Sequence, residues 1–391
     1  MKKSALTAFI ALLGSTATVA QECPTTSPGT VLMGQNDYIE YRVGNMPIVL
    51  SIPHGGYLTP TELPDRLCAD CVTVTDAYTI ELGTALADSL HALTGCYPHV
   101  IINHLDRIKL DANRNLANAA LGNPGAEQAW YDFHGFIEQA KDCVEAQFET
   151  GLYVDLHGHG HTVQRIEYGY LLFEDELAFD ESVLNSSTYI NYSSLRNLVD
   201  VNVMGLQHTE LLRGEFALGS LLHDQGYPGV PSLTDPFPQP GQPYFSGGYN
   251  TATHSSYNGG SVDGVQIECN QALRFDAAAR DAFAGELAQG LVEFVELHYG
   301  HSASACAVGV DELSDSTKNL VWPNPGQGQF HISEQVYEKL ERIAVFDAHG
   351  RMVQHLHQPN RSIQLTGTGV YTLLFQLNNG STFVQRLINL P

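Results

Sequence analysis

A short apolar strand, Leu152 to Leu156, runs into three histidines separated by single glycines: Val154-Asp155-Leu156-His157-Gly158-His159-Gly160-His161. Side chains alternate faces along a strand, so Asp155 and His157 point the same way at its end. Imidazole suits zinc, and a nearby carboxylate can fix its tautomer. The glycines let the backbone come close to an ion or substrate. Open α/β sheets bind their ligands at polar strand ends of this kind.

The segments around this stretch alternate between strand and helix. Met46 to Ile52 is a continuous apolar run, fit for a sheet covered on both faces, and it ends in Pro53-His54-Gly55-Gly56. Tyr78 to Leu93 has helical apolar spacing, Pro98 to Asn103 reads as a strand, and Ala126 to Phe148 as a helix. The pattern predicts an α/β fold, a mostly parallel or mixed sheet with helices on both faces. Further on, Tyr168 to Phe173 is expected to be a strand, and Ser193 to Val203 and Phe216 to Gln225 helices. Tyr227 to Gly260 is rich in Pro, Gly, Ser, Tyr and Asn, and a loop that long is expected to be a lid or a binding wall. Gly264 to Asn270 returns to strand, and Phe275 to Tyr299 is a long closing helix.

His301 to Lys318 shifts to small and acidic residues without apolar period, the mark of a linker. Beyond it come short strands at turn-punctuated spacing: 330–332, 343–346, 363–365, 370–377 and 383–388. They predict a small all-β sandwich of the immunoglobulin-like type. The chain thus divides into a leader (1–20), a catalytic domain (21–303), a linker (304–318) and the sandwich (319–391).

Met1 to Ala20 has the form of a secretory signal: Lys2 and Lys3, an apolar run from Ala5 to Leu13, then small residues. That run is too short to span a bilayer, and no later segment approaches the length of a membrane helix. Seven cysteines survive cleavage (23, 68, 71, 96, 143, 269 and 306) and are expected to form up to three disulfides and leave one thiol. Cys68 and Cys71 read as a local disulfide, since no second CxxC completes a zinc knuckle. A formal charge of −24, from 43 acidic and 19 basic residues, argues against nucleic acid and anionic membranes as partners.

Four polar constellations sit at strand ends. The first is His54. In the second, Val74 to Glu81, Asp76 can cap the following helix or act as the carboxylate of a His/Asp/His zinc set. The third, Asp106 to Asn115, brings Arg107 and Arg114 into a chain poor in basic residues. Either arginine can fork onto a substrate carboxylate or pair with a local aspartate. In the fourth, alternation puts Gln266, Glu268 and Asn270 on one face. A carboxylate on a buried strand must be paired or serve as a base.

Taken together, His54, Asp76, Arg107, the Asn113-Arg114 pair, Asp155-Leu156-His157 and Glu268 resemble, in that order, the N-formylglutamate amidohydrolase family and the wider zinc carboxypeptidase-like fold. The resemblance covers roughly residues 45 to 300 and implies that the α/β sheet is of the phosphorylase/hydrolase-like kind. It implies a zinc-dependent hydrolase of N-acyl amino acids or related amides, with one zinc ion held by His54, Asp76 and His157. It makes Glu268 the general base, Arg107 the oxyanion partner and Arg114 the anchor of the substrate carboxylate, with Asn113, Gln266, Asn270 and Tyr249 around the substrate. The carboxypeptidase relatives carry an acidic ligand three residues after the first histidine. Here that position is Tyr57, so the third ligand falls to Asp76, with Glu81 as the alternative. His159 and His161 are further competitors for the metal. A carboxypeptidase acting on peptides and a non-catalytic binder on the same scaffold are the alternative functions. Since formylglutamate breakdown belongs inside the cell, export implies an extracellular acyl-amino acid or peptide as substrate.

The tail has its own resemblance. Val321-Trp322-Pro323-Asn324-Pro325, then Val345 to Arg351, then Gly369-Val370-Tyr371 look like a type IX secretion sorting domain. That implies the type IX secretion machinery as a partner, and passage through the periplasm to the cell surface or the medium.

Overall fold

The computed structural model describes residue 23, residues 26–301 and, in the tail, residues 320–348, 352–357, 361–377 and 382–391. The expected leader, 1–20, and linker, 304–318, lie outside the described residues. In chain order the larger part contains β1 (Val31–Met33), β2 (Ile39–Arg42), β3 (Ile48–Ile52), α1 (Thr79–Thr94), β4 (His99–Asn103), α2 (Pro124–Phe148), β5 (Gly151–Gly158) and β6 (Ile166–Gly169). Then follow β7 (Gly229–Val230), α3 (Tyr249–His254), β8 (Val262–Cys269) and α4 (Ala277–Tyr299), with several shorter helices between them.

The strands form one eight-stranded mixed sheet in the order β1-β2-β4-β3-β5-β8-β6-β7. Its centre, β4-β3-β5-β8, is parallel, while β2 runs antiparallel to β4 and β6 antiparallel to β8. Both faces are covered, as the continuous apolar runs require. Ile48, Leu50 and Ile52 of β3 and Leu152, Val154 and Leu156 of β5 face a core that includes Leu82 and Leu86 of α1 and Leu287 and Leu291 of α4. Val49 and Tyr153 face the opposite way, towards Phe133, Ile137 and Val144 of α2.

Local chemistry sets the helix ends. Asn123 accepts the Ala126 N–H ahead of Pro124, and Asp276 accepts that of Ala279. Gly95 closes α1 in the left-handed conformation at φ 73°.

The structure departs from expectation where periodicity was weakest. The strand expected over 168–173 is β6, shifted towards the N-terminus. Its pairing with β8 ends at Gly169, and Leu171 turns the chain at φ 68°. The helix expected over 193–203 is the shorter Arg196–Val201, and a separate short helix, Ser187–Tyr192, precedes it. The loop over 227–260 contains β7, α3 and a 3-10 turn at Ser256–Asn258.

The tail is a sandwich. Val321–Trp322, Gln329–Ile332 and Ser362–Gln364 form one antiparallel sheet; Leu340–Phe346, Met352–His357, Gly369–Leu377 and Thr382–Asn389 form the other. Phe330, Ile343, Val345, Leu373 and Phe375 are buried in the core they share. Val370 and Ile388 join the core of the larger part, and Arg386 pairs with the buried Glu296 of α4.

Disulfides join Cys23 to Cys143 and Cys68 to Cys71; Cys96 is also disulfide-bonded, and Cys269 is a buried free thiol. Among the described residues, no helix is long and apolar enough to cross a membrane.

Candidate metal centre

The ends of β3, β5 and β8 bring His54, His157 and Glu268 together. His157 lies directly across from Glu268, and Asp155 across from Gln266, in the parallel β5–β8 register. His54 follows β3, and Gly55 and Gly56 let its backbone run tight against the first turn of α1 and against His104. A Cβ would meet Thr79 Oγ1 at 2.5 Å in the first case and the His104 carbonyl at 2.2 Å in the second.

Asp76 arrives on the loop ahead of α1. It does not cap that helix: the N-cap position is Tyr78, at φ 65°, and no side chain caps there. The Asp76 backbone takes part instead, donating its N–H to the His54 carbonyl at 2.9 Å and accepting from Thr79. Its carboxylate is left to face the histidines. Asp76 Oδ2 lies 3.1 Å from His157 Nδ1 and 3.5 Å from His54 Nδ1.

Both histidines are oriented from behind by a buried carboxylate. His54 Nε2 is 2.7 Å from Asp111 Oδ1, and His157 Nε2 is 2.9 Å from Asp155 Oδ2. Asp155 is itself held by Ser51 Oγ at 2.6 Å and by Asn250 Nδ2. Each imidazole therefore has its Nε2 engaged and turns its Nδ1 towards Asp76, and His54 Nδ1 is buried without a hydrogen-bond partner among the described residues. An orphaned ring nitrogen aimed at a carboxylate, beside a second nitrogen on the same oxygen, fits a divalent cation with N/N/O donors. The ligating atoms of His54, Asp76 and His157 lie within 4.8 Å of one another.

Charge at the site follows from this packing. Burial disfavours the ionised form of Asp76, but His157 and His54 outweigh it and hold the carboxyl well below its usual range. Asp111 is likewise lowered, burial being outweighed by His54 and Arg107. Burial also opposes charging His157, yet Asp155 and Asp76 raise it well above an ordinary histidine. Glu268 goes the other way: burial, with Asp76, Glu167 and Asp155 nearby, pushes it up to about 8. Its Oε1 accepts from Gln266 Nε2 at 3.0 Å, while Oε2 is buried and unpartnered among the described residues.

The other expected residues take varied places. Arg107 forms the local salt bridge, Nε to Asp111 Oδ2 at 3.1 Å, with Nη1 3.6 Å from Asp76 Oδ1. Asn113 Nδ2 is 3.3 Å from His157 Nε2, and its Oδ1 accepts the Asn250 N–H at 2.8 Å. Arg114 is half-buried and donates to the Asn113 carbonyl. Asn270 accepts from Ala272 and Leu273 as a cap after β8. Tyr249 opens α3, its ring against Trp130 and His134. Glu81 is exposed and outside the ligand group.

His159, His161 and Glu167 form a second group with metal-ligand spacing, but most of its donor atoms already have protein partners. His159 Nε2 donates to the Arg165 carbonyl and its Nδ1 accepts the His161 N–H. His161 Nδ1 is 2.9 Å from Glu167 Oε1, and Glu167 Oε2 accepts the Phe245 N–H.

Sequence reasoning missed Asp111 as the partner of His54, although it lies in the Asp106–Asn115 stretch. It missed Asn250 and Arg274 altogether, since neither sits in a motif.

Residues 320–389 match the family described as "Secretion system C-terminal sorting domain". The tail is a sorting domain. It marks this chain for secretion and the cell surface. No curated protein matches the chain. Among solved structures, the chain is similar to a gene product from Agrobacterium tumefaciens, at 13% identity and TM-score 0.40, over 66% of this chain and 95% of that one. It is also similar to an N-formylglutamate amidohydrolase from Ralstonia eutropha, at 12% identity and TM-score 0.36, over 68% and 98% of the two chains. A third likeness is to the succinylglutamate desuccinylase of Chromobacterium violaceum, at 12% identity and TM-score 0.31, over 78% and 89%.

Proposed function

We propose that this protein is an exported zinc-dependent hydrolase of N-acyl amino acids or related amides, its metal held by His54, Asp76 and His157. The observation that carries this reading is the pair of imidazoles, each braced through Nε2 by a buried carboxylate and turning its Nδ1 to the same Asp76 oxygen. When bound, zinc supplies Lewis-acid polarisation of the scissile carbonyl and a water made acidic enough to attack near neutral pH.

The chain's own residues do the rest. Glu268, with Oε2 unpartnered at the strand end beside His157, takes the proton of the attacking water and passes it to the leaving nitrogen. Its raised carboxyl would be drawn back towards the ionised form that a base requires by a cation held on His54, Asp76 and His157. Arg107, held by Asp111, faces the developing oxyanion beside Asp76. Arg114 and Asn113 hold the free carboxylate of the substrate.

The test is metal content and amine release together. Wild-type protein is expected to carry one zinc per chain and to free amine from N-acyl amino acids, and His157→Ala to lose both. Zinc retained by His157→Ala but lost by His159→Ala would move the centre to the second histidine group and reject this one.

A further inference from the structure

Arg274 lies just beyond β8, in no motif, and only 3% of it is exposed. Its guanidinium spans three carbonyls. Nε donates to Cys269 at 3.0 Å, Nη2 to His159 at 3.2 Å, and Nη1 to Ala77. Ala77 follows Asp76, Cys269 follows Glu268, and His159 is two residues past His157. One side chain thus clamps the backbone beside two of the three proposed ligands and beside the proposed base.

Two further features serve the clamp. Gly158 lies against the guanidinium: a Cβ there would come within 2.2 Å of Arg274 Cζ. The Asp76 loop is also stacked onto the segment that carries Arg274, through Tyr78 on Phe275 (ring centroids 5.1 Å apart) and Arg280 over Tyr78 at 5.5 Å. Asp76 needs such help most, since it sits on a loop while His157 and Glu268 are fixed by strand pairing.

We propose that Arg274 is a positioning residue that sets Asp76 against His157 and Glu268, so that the donor set is already assembled when the metal arrives. The proposal rests on the metal-centre reading above. A rigid planar fork can meet three carbonyls at once; a lysine ammonium is a point charge on a flexible stem and cannot span all three. Groups that orient metal ligands cost about 10- to 100-fold in affinity or activity when removed.

The experiment compares wild type, Arg274→Lys, Arg274→Ala and Gly158→Ala. Zinc affinity is measured by chelator competition, and ligand geometry by the visible spectrum of the cobalt-substituted protein. Zinc dissociation constants should rise about 10- to 100-fold in all three variants, with altered cobalt spectra. At saturating zinc, kcat should fall while KM stays near wild type. Millimolar guanidinium should restore part of the affinity to Arg274→Ala and none to Gly158→Ala, whose methyl group occupies the space. Should Arg274→Lys not fold, Gly158→Ala carries the same test with the arginine retained. Wild-type zinc affinity and spectrum in the folded variants would overturn the proposal and leave the metal centre intact. A wild-type chain that binds no zinc would bring down the metal centre, and this inference with it.

Discussion

Glu268 and Arg114 are expected to fail in different ways when altered. Glu268→Gln keeps the side-chain shape and can still accept from Gln266, but it cannot take a proton. It should retain zinc and KM while kcat falls about 10²-fold or more. Near-normal kcat, or loss of zinc, would reassign Glu268 as structural or as a ligand. Arg114→Ala should chiefly raise KM for substrates with a free carboxylate, because such a contact holds ground and transition states alike. An unchanged KM with depressed kcat would place Arg114 elsewhere in the mechanism. The strand-end residues were legible because strand geometry dictates them: alternation alone put His157 with Asp155 and Glu268 with Gln266. Asp111, Asn250 and Arg274 were not. Their partners lie 57, 95 and up to 197 positions away, and no local pattern reports such pairings.

At the scale of elements, long periodic segments were readable and short ones were not. The helix over 79–94 and the strands flanking the site fell close to their expected bounds, because each buries a regular apolar face. His208–Arg213 and Glu181–Leu184, at six and four residues, are too short to show a period. They nevertheless give the protein a dependence on acid. His208 is buried where these two helices meet. Its Nδ1 donates to the Leu184 carbonyl at 2.7 Å, and Nε2 has no partner among the described residues. Burial lowers it to about 4. A histidine depressed in the folded state contributes stability above its unfolded value near 6.5 and loses it as pH falls through the folded value. For this shift that is about 3 kcal/mol between pH 7 and pH 4. His298, also lowered to about 4 by burial, adds to the same trend. His208→Asn keeps a donor for Leu184 and cannot protonate, so urea denaturation should show a smaller loss of stability on acidification than in wild type. Identical losses in the two proteins would mean that His208 does not titrate on unfolding.

For the whole molecule, the sorting sandwich over 320–389 was legible from its entry motif and its turn-punctuated strands. What the sequence hid is that it shares packing with the larger part. Ile388 and Val370 lie in the core of the larger part, and Arg386 reaches Glu296, whose side chain is only 4% exposed. Deleting residues 319–391 should leave kcat for amide hydrolysis unchanged at low temperature and stop release to the medium. It should also lower the melting temperature by several degrees, since Val370 and Ile388 leave the core they share with the larger part. Normal release of the truncated chain would end the sorting role; an unchanged melting temperature would end the packing one. The bridge between Cys23 and Cys143 adds a matter of place. It closes a loop of 120 positions, tying the segment before the edge strand β1 to helix α2. A closure of that length is worth about 5 kcal/mol in the chain-entropy picture, and it forms only where thiols are oxidised. A copy held in a reducing compartment therefore lacks part of its final stability. A copy in an oxidising one is fastened, so the same sequence is a looser or a tighter molecule according to the compartment that holds it.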